Sequence, residues 1–375
     1  MKFNVSAADL LDVCKEVKRV ISENTVLPVL RCFLMDLKDG RLEIIGNNLE
    51  SGMRTSLEVS GEGSGKAAVP AKVFLDFLRR VKDEQLSVEL DPSHFSLNIK
   101  TGTGNYKVTG DNPEEFPLLP EMEGGNQVVL PAHLLKHFIE TTLFAASKDE
   151  ETNRALAGVH IEFEDQGINF VATDAHRLIL YSTKEVPGIT ASFNPNAFTL
   201  PRKAATILKD VLPADEETQV TLTFNDKYAF FQFGDTLFYS QLIDAAFPNY
   251  KQIIPDSYPN YLVVNRDLLL TALQRVSLFA NRTTQAVVFE LNTEPKLIAE
   301  DIDFSNRGEE KLMATYQGEP MNVTFNAPFL EEAIKNFPSD ELRIEFASVD
   351  HPVMIYPAQE IENRKALMLI MPIGA

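Results

Sequence analysis

The chain has 375 residues, of which 44% are hydrophobic and 24% are charged, and its formal net charge is −19 at pH 7. This length is enough for two or three domains with separate cores, and the composition excludes a disordered or fibrous protein. Evenly spread negative charge would exclude binding to nucleic acid, because phosphate contacts need Lys and Arg.

The N-terminal segment has no apolar signal-peptide core, and no apolar run approaches the length of a membrane span. Cys14 and Cys32 are the only cysteines, with no metal-type spacing. We therefore expect a cytoplasmic protein with two buried thiols in a reducing compartment.

Three sequence patterns each occur three times along the chain. A short apolar strand, a polar corner and a helix beginning with two leucines occur at FNVSAADLL (3–11), VVLPAHLL (128–135) and LVVNRDLL (262–269). A second strand and helix occur at 67–81, 198–212 and 323–337. A further strand occurs at 40–48, 167–174 and 295–301. Corresponding residues lie 125 to 134 positions apart, so the chain contains three repeats, each with two strand–helix corners.

The secondary structure predicted from these patterns is helices and strands in alternating blocks. The predicted helices are 7–21, 71–83, 132–148, 202–212, 266–282 and 327–337. The clearest strands are 86–90, 95–99, 219–224, 229–233 and 342–346. Segments rich in Pro, Gly and acidic residues at 116–126 and 247–260 are candidate linkers. The predicted class is α+β, with helices on one face of the sheets, and the predicted domains are 1–122, 127–256 and 260–375.

The charge is unevenly distributed along the chain. The predicted helices hold 16 basic and 10 acidic residues, whereas the remainder holds 19 basic and 44 acidic residues. Such a helical face could meet a polyanion through phosphates without reading base sequence, although solvated helix faces would give the same pattern. The candidate DNA-binding residues are Lys15, Lys18, Arg19, Lys72, Arg79, Arg80, Lys136, Arg202, Lys203, Lys209 and Arg275.

Three possible chemical sites are incomplete. SGEGSGKA (60–67) lacks the first Gly and the Ser or Thr of a phosphate-binding loop, and is better interpreted as a hairpin. His133 and His137 have the spacing of two metal ligands on one helix but no evident third ligand. Asp174 and His176 have no accompanying nucleophile. We expect no metal, no cofactor and no catalytic residue.

Several motifs together resemble one protein family over the whole chain. The motifs are MKF (1–3), Leu27-Pro28, VATDAHRL (171–178), FTLPRK (198–203), SQLIDAAFPNYKQIIP (240–255) and LMLIMPIGA (367–375). In order and spacing they are similar to the bacterial DNA polymerase III beta subunit family, the DNA sliding clamps. The resemblance implies three repeated clamp domains, each doubled, and a non-catalytic processivity factor.

The same resemblance implies an assembly and a binding pocket. Two chains would form a head-to-tail ring, with helices lining the hole, sheets outside, and Tyr106 and Val108 packed on Leu278 and Phe279 of the partner. Partner peptides would dock between domains two and three. The implied peptide-binding residues are Leu156, Thr173, His176, Arg177, Leu178, Pro248, Ile253, Asn326, Phe329, Leu369, Ile370, Met371 and Pro372.

The chain departs from the family pattern at several positions. Ala175 replaces a common Gly, Gln252 replaces a frequent Arg, and Asn24 stands where a DNA-contacting Arg is often found. The ending Ile373-Gly374-Ala375 replaces a more basic one. These departures affect the expected peptide preference and some DNA contacts.

The expected partners are a second copy, duplex DNA without sequence preference, the DNA polymerase III alpha subunit, the clamp loader and other proteins with a clamp-binding motif. Two alternatives stay open at the level of sequence. One is a hydrolase that uses Asp174 and His176. The other is a repeat protein that binds only other proteins, which retention on circular but not linear DNA would distinguish.

Overall fold

The structure is a computed structural model that describes residues 2–122, 124–165, 167–184, 186, 189, 192–255 and 257–373. Met1, Asp256, Gly374 and Ala375, which belong to the predicted domain limits and chain ending, lie outside the described residues. The chain folds into antiparallel sheets and short helices, which confirms the α+β class.

Six α-helices occur in the described part of the chain, and each begins at its predicted residue. They are α1 (Ala7–Lys18), α2 (Ala71–Arg80), α3 (Ala132–Leu143), α4 (Arg202–Val211), α5 (Arg266–Val276) and α6 (Ala327–Asn336). Polar corner residues explain some of these starts. The side chain of Ser6 accepts a hydrogen bond from the Asp9 N–H, and that of Asn265 accepts from two N–H groups of α5.

The predicted helix ends were wrong by one to six residues. After α1 the N–H groups of Arg19, Val20 and Ile21 bond carbonyls three residues back, so the chain tightens into a turn. Val20 and Ile21 are nevertheless buried. The apolar pattern therefore continues past the end of the helix, and it cannot mark where the helix stops.

Strands are numbered in chain order. The first nine are β1 (Lys2–Ser6), β2 (Cys32–Lys38), β3 (Arg41–Asn47), β4 (Ser51–Glu58), β5 (Ser60–Glu62), β6 (Gly65–Pro70), β7 (Gln85–Asp91), β8 (Ser96–Lys100) and β9 (Asn105–Thr109). The next eight are β10 (Asn126–Pro131), β11 (Gly158–Glu164), β12 (Gly167–Thr173), β13 (Arg177–Lys184), β14 (Ala197–Pro201), β15 (Gln219–Phe224), β16 (Tyr228–Phe233) and β17 (Thr236–Gln241). The last nine are β18 (Asn260–Asn265), β19 (Ala286–Leu291), β20 (Lys296–Asp301), β21 (Asn306–Lys311), β22 (Ala314–Gln317), β23 (Met321–Asn326), β24 (Glu341–Phe346), β25 (Val353–Pro357) and β26 (Arg364–Ile370).

These strands form four sheets. Their orders are β5-β1-β7-β8-β9, β10-β15-β16-β17-β4-β3-β2-β6, β14-β11-β12-β13-β26-β25-β24-β18-β22 and β21-β20-β19-β23. The strands predicted at 86–90, 95–99, 219–224, 229–233 and 342–346 are all present. The hairpin predicted at 60–67 is wrong, because β5 pairs with β1 while β6 pairs with β2 in another sheet.

The threefold repeat is visible in the backbone hydrogen bonds. In each predicted domain, the N–H of the first residue of the first helix donates to the carbonyl just before the strand that follows the second helix. The pairs are Ala7 with Glu84, Ala132 with Thr218, and Arg266 with Asp340, at 3.0, 2.9 and 2.8 Å. An equivalent bond at three equivalent places confirms the repeat.

The helices pack closely on the sheets. A Cβ atom on Gly46 of β3 would lie 2.7 Å from the Val17 side chain of α1, so only glycine allows this approach. Cys14 and Cys32 are buried as predicted. Burial raises the pKa of Cys14 far above the ordinary thiol value and that of Cys32 to about 12, which makes both thiols unreactive.

The chain divides into two compact units, Met1–Lys136 with Thr206–Leu242, and His137–Ala205 with Ile243–Ala375. In the first unit β4 pairs with β17, and in the second β13 pairs with β26. Each unit therefore holds one sheet built from strands of two predicted domains, and the domain limits stay predictions.

Candidate functional site

The hairpin that joins β12 to β13 carries the TDxHRL motif. The Thr173 hydroxyl donates to the Arg177 carbonyl at 2.7 Å, and the Asp174 carboxylate accepts the N–H groups of His176 and Arg177 at 3.1 Å. Ala175 lies between them with a φ of 74°, in the left-handed region that favours glycine. Alanine at this position therefore adopts a strained backbone conformation.

The side chain of Arg177 is buried and holds this hairpin in place. Its guanidinium donates to Asp174 at 3.0 Å, to Glu332 at 2.8 Å and to the Phe144 carbonyl at 3.2 Å. It also lies 5.2 Å from the ring centroids of Phe144 and Phe329. With a side chain only 4% exposed, Arg177 positions the surrounding residues instead of presenting its charge to a ligand.

The C-terminal segment continues from β26 alongside this hairpin. The Met371 N–H donates to the His176 carbonyl at 2.8 Å, and the Ile373 N–H donates to the Thr324 carbonyl at 2.8 Å. The His176 ring stacks on Phe329 with centroids 5.7 Å apart. Residues far apart in the chain are thereby brought to one place.

An apolar cluster forms the floor beside the hairpin. It contains Val171, Leu178, Leu180, Tyr250, Met354, Leu367 and Leu369, with Phe247, Ile254, Tyr258, Tyr356 and Met371 packed against it. Leu178 lies opposite Leu369 on β13 and β26, so strand alternation places both side chains on one face. Met371 extends this surface toward His176.

The predicted peptide-binding residues differ in accessibility. Thr173, Arg177, Leu178, Leu369, Ile370 and Pro372 are buried; Leu156, Asn326, Phe329 and Met371 are half-buried; and His176, Pro248 and Ile253 are exposed. The contacts above join seven of them: Thr173, His176, Arg177, Leu178, Phe329, Leu369 and Met371. Asn326 caps α6 at Phe329, whereas Pro248 and Ile253 flank the buried Tyr250 in the linker. The Leu156 carbonyl accepts the N–H of Ser147, in the segment that follows α3.

Sequence reasoning missed several residues of this region. Phe144 and Glu332, which bind Arg177, lie 33 and 155 residues from it along the chain, and no local pattern could reveal them. Leu180 and Leu367 could have been predicted from the sequence, because strand alternation puts them on the same face as Leu178 and Leu369.

The Asp174–His176 pair does not have the geometry of an acid–base pair. The Asp174 carboxylate bonds the backbone and Arg177, while the His176 ring stacks on Phe329. His137 contacts the Tyr181 hydroxyl through Nε2 at 3.2 Å. Among the residues that the structure describes, no three His, Cys, Asp or Glu side chains gather as metal ligands would.

His160 lies under the FPNY segment of the linker. Its ring stacks on Phe247 with centroids 4.3 Å apart, and its Nδ1 lies 3.0 Å from the Thr199 hydroxyl. Burial lowers the pKa of His160 from 6.5 to about 4. The folded protein therefore keeps this imidazole neutral at a pH where the unfolded chain would already bind the proton.

We expect His160 to make the protein less stable as the pH falls from its unfolded pKa of 6.5 toward its folded pKa of about 4. Between about pH 7.5 and about pH 5, the free energy of unfolding should fall by about 2 kcal/mol more in the parent than in His160→Gln. Denaturant titrations at both pH values measure this. Equal losses in the parent and His160→Gln would contradict the assignment.

Most of the candidate DNA-binding residues form ion pairs or hydrogen bonds within the chain. Ion pairs join Lys15 to Asp12, Lys18 to Glu23, Arg19 to Asp210, Arg79 to Asp76, Lys203 to Glu150, Lys209 to Asp210 and Arg275 to Glu310. Lys136 donates to the Leu212 carbonyl at 3.0 Å, and Arg202 donates to the Ala146 carbonyl at 2.7 Å. Lys136 and Arg202 thus bind carbonyls that follow helices α4 and α3.

Lys72 and Arg80, both on α2, are exposed and form no ion pair among the described residues. The helices as observed hold 12 basic and 9 acidic residues, a smaller excess than predicted. The difference arises because Arg19, Lys82, Lys148 and Arg282 lie in turns after the helices.

The candidate interface residues lie next to two open sheet edges. Tyr106 and Val108 belong to β9, the outermost strand of one sheet. Leu278 and Phe279 lie in a short 3-10 helix after α5, and the Phe279 ring covers Gly308 of β21, the outermost strand of another sheet. Leu278 is 81% exposed and Phe279 42%, which is unusual for large apolar side chains with no partner surface.

Comparison with known proteins identifies the family. Models of the N-terminal, central and C-terminal domains of the DNA polymerase III beta subunit match residues 1–120, 129–249 and 251–374. The chain belongs to the DNA polymerase III beta subunit family. A beta sliding clamp from Synechococcus elongatus is 30% identical over 362 residues, which cover 95% of each chain.

Solved structures of the family agree with the fold. The DNA polymerase III beta subunit of Thermotoga maritima is 26% identical, with a TM-score of 0.89 over 100% of this chain and 99% of that chain. A sliding clamp from Bartonella birtlesii bound to griselimycin is 27% identical, with a TM-score of 0.91 over all of both chains.

Family membership confirms the three predicted clamp domains and the predicted function, a DNA sliding clamp that acts as a processivity factor. It implies DNA and a polymerase as partners. Within the described ranges, no helix has both the length and the apolar character needed to cross a bilayer.

Proposed function

We propose that two copies of this protein close head to tail into a ring around duplex DNA, as a tether without catalytic activity. We propose further that peptide segments of the DNA polymerase III alpha subunit, the clamp loader and other DNA-processing proteins dock on the surface formed by Leu178, Phe329, Leu369 and Met371. One observation supports ring closure above all others: two equivalent strands, β9 and β21, each pair with a neighbour on one side only, and their outer edges are open among the described residues.

Strands of adjacent predicted domains pair in the same way at two places in the chain. Each of the six helices is followed by three consecutive strands. Inside the chain, the third strand after one helix pairs with the third strand after a helix of the next predicted domain. In the first compact unit this joins β4 to β17, with Met53 opposite Phe238. In the second it joins β13 to β26, with Ile179 opposite Met368. Both pairs are antiparallel.

The strand register identifies the equivalent residues at the open edges. Tyr106 of β9 lies opposite Ile99, just as Phe238 lies opposite Phe231 and Met368 opposite Ile355. Gly308 of β21 lies opposite Ala299, just as Met53 lies opposite Gly46 and Ile179 opposite Ala172. By this equivalence, Tyr106 of one protomer stands opposite Gly308 of its partner, and Lys107 opposite Arg307.

This register agrees with the interface implied by the family resemblance. Gly308 is the residue that the Phe279 ring covers, so Tyr106 would pack beside Phe279 across the junction. The five-stranded and four-stranded sheets would then join into one continuous sheet. Closure removes two exposed strand edges that would otherwise attract other chains.

The helices supply the cations for the DNA. Lys72 and Arg80 are available as they stand, and exposed pairs such as Arg79–Asp76 and Arg275–Glu310 cost little to exchange for phosphate, typically below ~1 kcal/mol each. Scattered contacts of this kind bind phosphates without base readout. A hydrolase at Asp174 and His176 has less support, since Asp174 is engaged with Arg177.

Retention on DNA of different topology tests the proposal. The protein is loaded on nicked circular duplex and passed over a sizing column, and the circles are then cut once with a restriction enzyme. A ring should stay on the circle at salt that abolishes phosphate contacts and should leave after the cut. Release from circular and linear DNA at the same salt would refute encirclement.

Charge reversal separates phosphate contact from topology. Lys72→Glu with Arg80→Glu should slow loading and reduce retention at low salt, regardless of base sequence. Lys100→Glu with Lys227→Glu makes the same change in net charge on a strand and a turn, so it should behave as the parent does. A protein that binds only other proteins would respond to neither pair.

A further inference from the structure

A cavity of about 960 Å³ adjoins the proposed docking surface in the second compact unit. It lies between linker residues 250–255 and 257, β13, β26 and the loop at 359–363. Leu180, Leu367 and Tyr250 line it and also belong to the apolar cluster below Leu178 and Leu369. The cavity and the docking surface therefore share one floor.

The two antiparallel strands make this floor continuous. Opposite pairs run from Leu178–Leu369 through Leu180–Leu367 to Ser182–Lys365. Alternate residues of a strand share a face, so all three pairs point the same way. The face changes from apolar to basic over four residues, or roughly 13 Å.

The basic end of the cavity carries unpaired charge. Five basic and three acidic residues line the cavity, on a chain whose net charge is −19. Lys251 binds Glu164 at 2.8 Å, and Arg343 binds Glu345 at 2.7 Å. In the described part of the chain, the other three cations, Lys184, Arg364 and Lys365, form no ion pair.

The backbone holds these cations in place. The Lys184 N–H donates to the Asn363 carbonyl at 3.0 Å, and the Arg364 N–H donates to the Ile361 carbonyl at 3.1 Å. Asn363 has a φ of 55°, which closes a tight turn before β26. The turn is thereby fixed to the end of β13, which brings the backbone of Lys184, Arg364 and Lys365 to one end of the cavity.

Two residues that line the cavity, Tyr250 and Lys251, bind Glu162. The Tyr250 hydroxyl donates to the Glu162 carboxylate, and Lys251 donates to it at 3.0 Å. Although burial opposes it, these hydrogen bonds hold the pKa of Glu162 below its ordinary value. Lys251 is shared between Glu162 and Glu164, so this group keeps one negative charge. With Glu360, which also lines the cavity, two negative charges stand against the three positive charges of Lys184, Arg364 and Lys365.

We propose that this cavity receives an acidic segment of a partner peptide, continuing in extended form from the motif on the docking surface. The inference rests on the proposed docking function. An extended chain covers roughly 3.3 Å per residue, so Asp or Glu residues about four to six positions beyond the motif would reach Arg364 and Lys365. The cavity would thus favour partners whose motif is flanked by acidic residues.

Matched peptides test this by calorimetry at low salt. One peptide holds a Gln and a Leu–Phe pair, and four others add six Asp or six Asn residues before or after that motif. We expect one Asp-extended peptide to bind about three- to tenfold more tightly than its Asn counterpart, the size of a few exposed ion pairs. Arg364→Glu with Lys365→Glu should remove that gain and leave the unextended peptide unaffected.

The control pair is Lys148→Glu with Lys335→Glu, which changes net charge equally elsewhere in the same unit and should keep the gain. The inference is overturned if neither Asp extension improves binding, or if the gain survives in the Arg364 and Lys365 variant. It is also overturned if inorganic phosphate removes the gain where chloride of equal ionic strength does not, since that identifies a simple anion site. Failure of the unextended peptide to bind would instead refute the docking function, and the inference with it.

Discussion

Phe279→Asp is expected to leave the protein monomeric at concentrations where the parent chain is a dimer. The Phe279 ring lies on Gly308 at the β21 edge and would be covered by Tyr106 of the partner. An unpaired carboxylate at that place costs several kcal/mol, roughly a thousandfold or more in dimer affinity. Sedimentation velocity measures the change. Val108→Asp should also give monomers. Because Val108 is already buried within one chain, that substitution would also destabilise the fold, and Phe279→Asp tests the interface more directly.

The control is Val349→Asp, which places the same charge at an exposed apolar residue in the β24–β25 turn and should stay dimeric. The strand register can be tested in the same preparation. Lys107→Cys with Arg307→Cys should form disulfides between protomers, because directly opposite residues come within bonding reach. Lys107→Cys with Glu309→Cys, two residues out of register, should not. A dimeric Phe279→Asp protein would refute the assigned interface.

Deletion of residues 371–375 is expected to abolish binding of the motif peptide and to leave the dimer intact. Met371 forms part of the docking surface beside Leu178 and Leu369, whereas the proposed junction uses β9 and β21. Burial of two apolar peptide side chains supplies about 3–6 kcal/mol before ordering costs, so the parent should bind the peptide with a Kd of about 1 μM. Because the parent binds the peptide this weakly, loss of the Met371 side of the docking surface should leave no binding that calorimetry can detect.

Thermal unfolding distinguishes this from a structural role of the tail. β26 ends at Ile370 and keeps its pairing in the truncated chain, so only a modest fall in Tm is expected. Met313→Ala, which trims a side chain that is 80% exposed, is the control and should bind peptide normally. A sharp fall in Tm, with no peptide binding by the intact protein, would show that the tail only completes the core.

The sequence by itself determined the repeat, the helix starts and the strands. These features are local: a polar corner before an apolar helix, or alternation along a strand, depends only on residues that are close together in the sequence. Ser6 and Asn265, for example, cap the helices that follow them. The predicted helix ends were wrong, because the apolar pattern continues past the helix: Val20 and Ile21 stay buried in the turn after α1. Most docking residues entered through resemblance, and their roles stay predictions.

Only the tertiary structure decided which residues meet. Arg177 is fixed by Phe144, Phe329 and Glu332, three residues from distant parts of the chain that no periodicity connects. Pairing of β4 with β17 and of β13 with β26 showed that β9 and β21 are the equivalent strands whose outer edges stay open among the described residues. Strand pairing depends on contacts between segments separated by many residues. The alternation of residues along a strand predicts which side chains share a face, but it does not predict which strand lies beside it. For that reason the repeat could be predicted from the sequence, whereas the strand register of the proposed subunit junction required the fold.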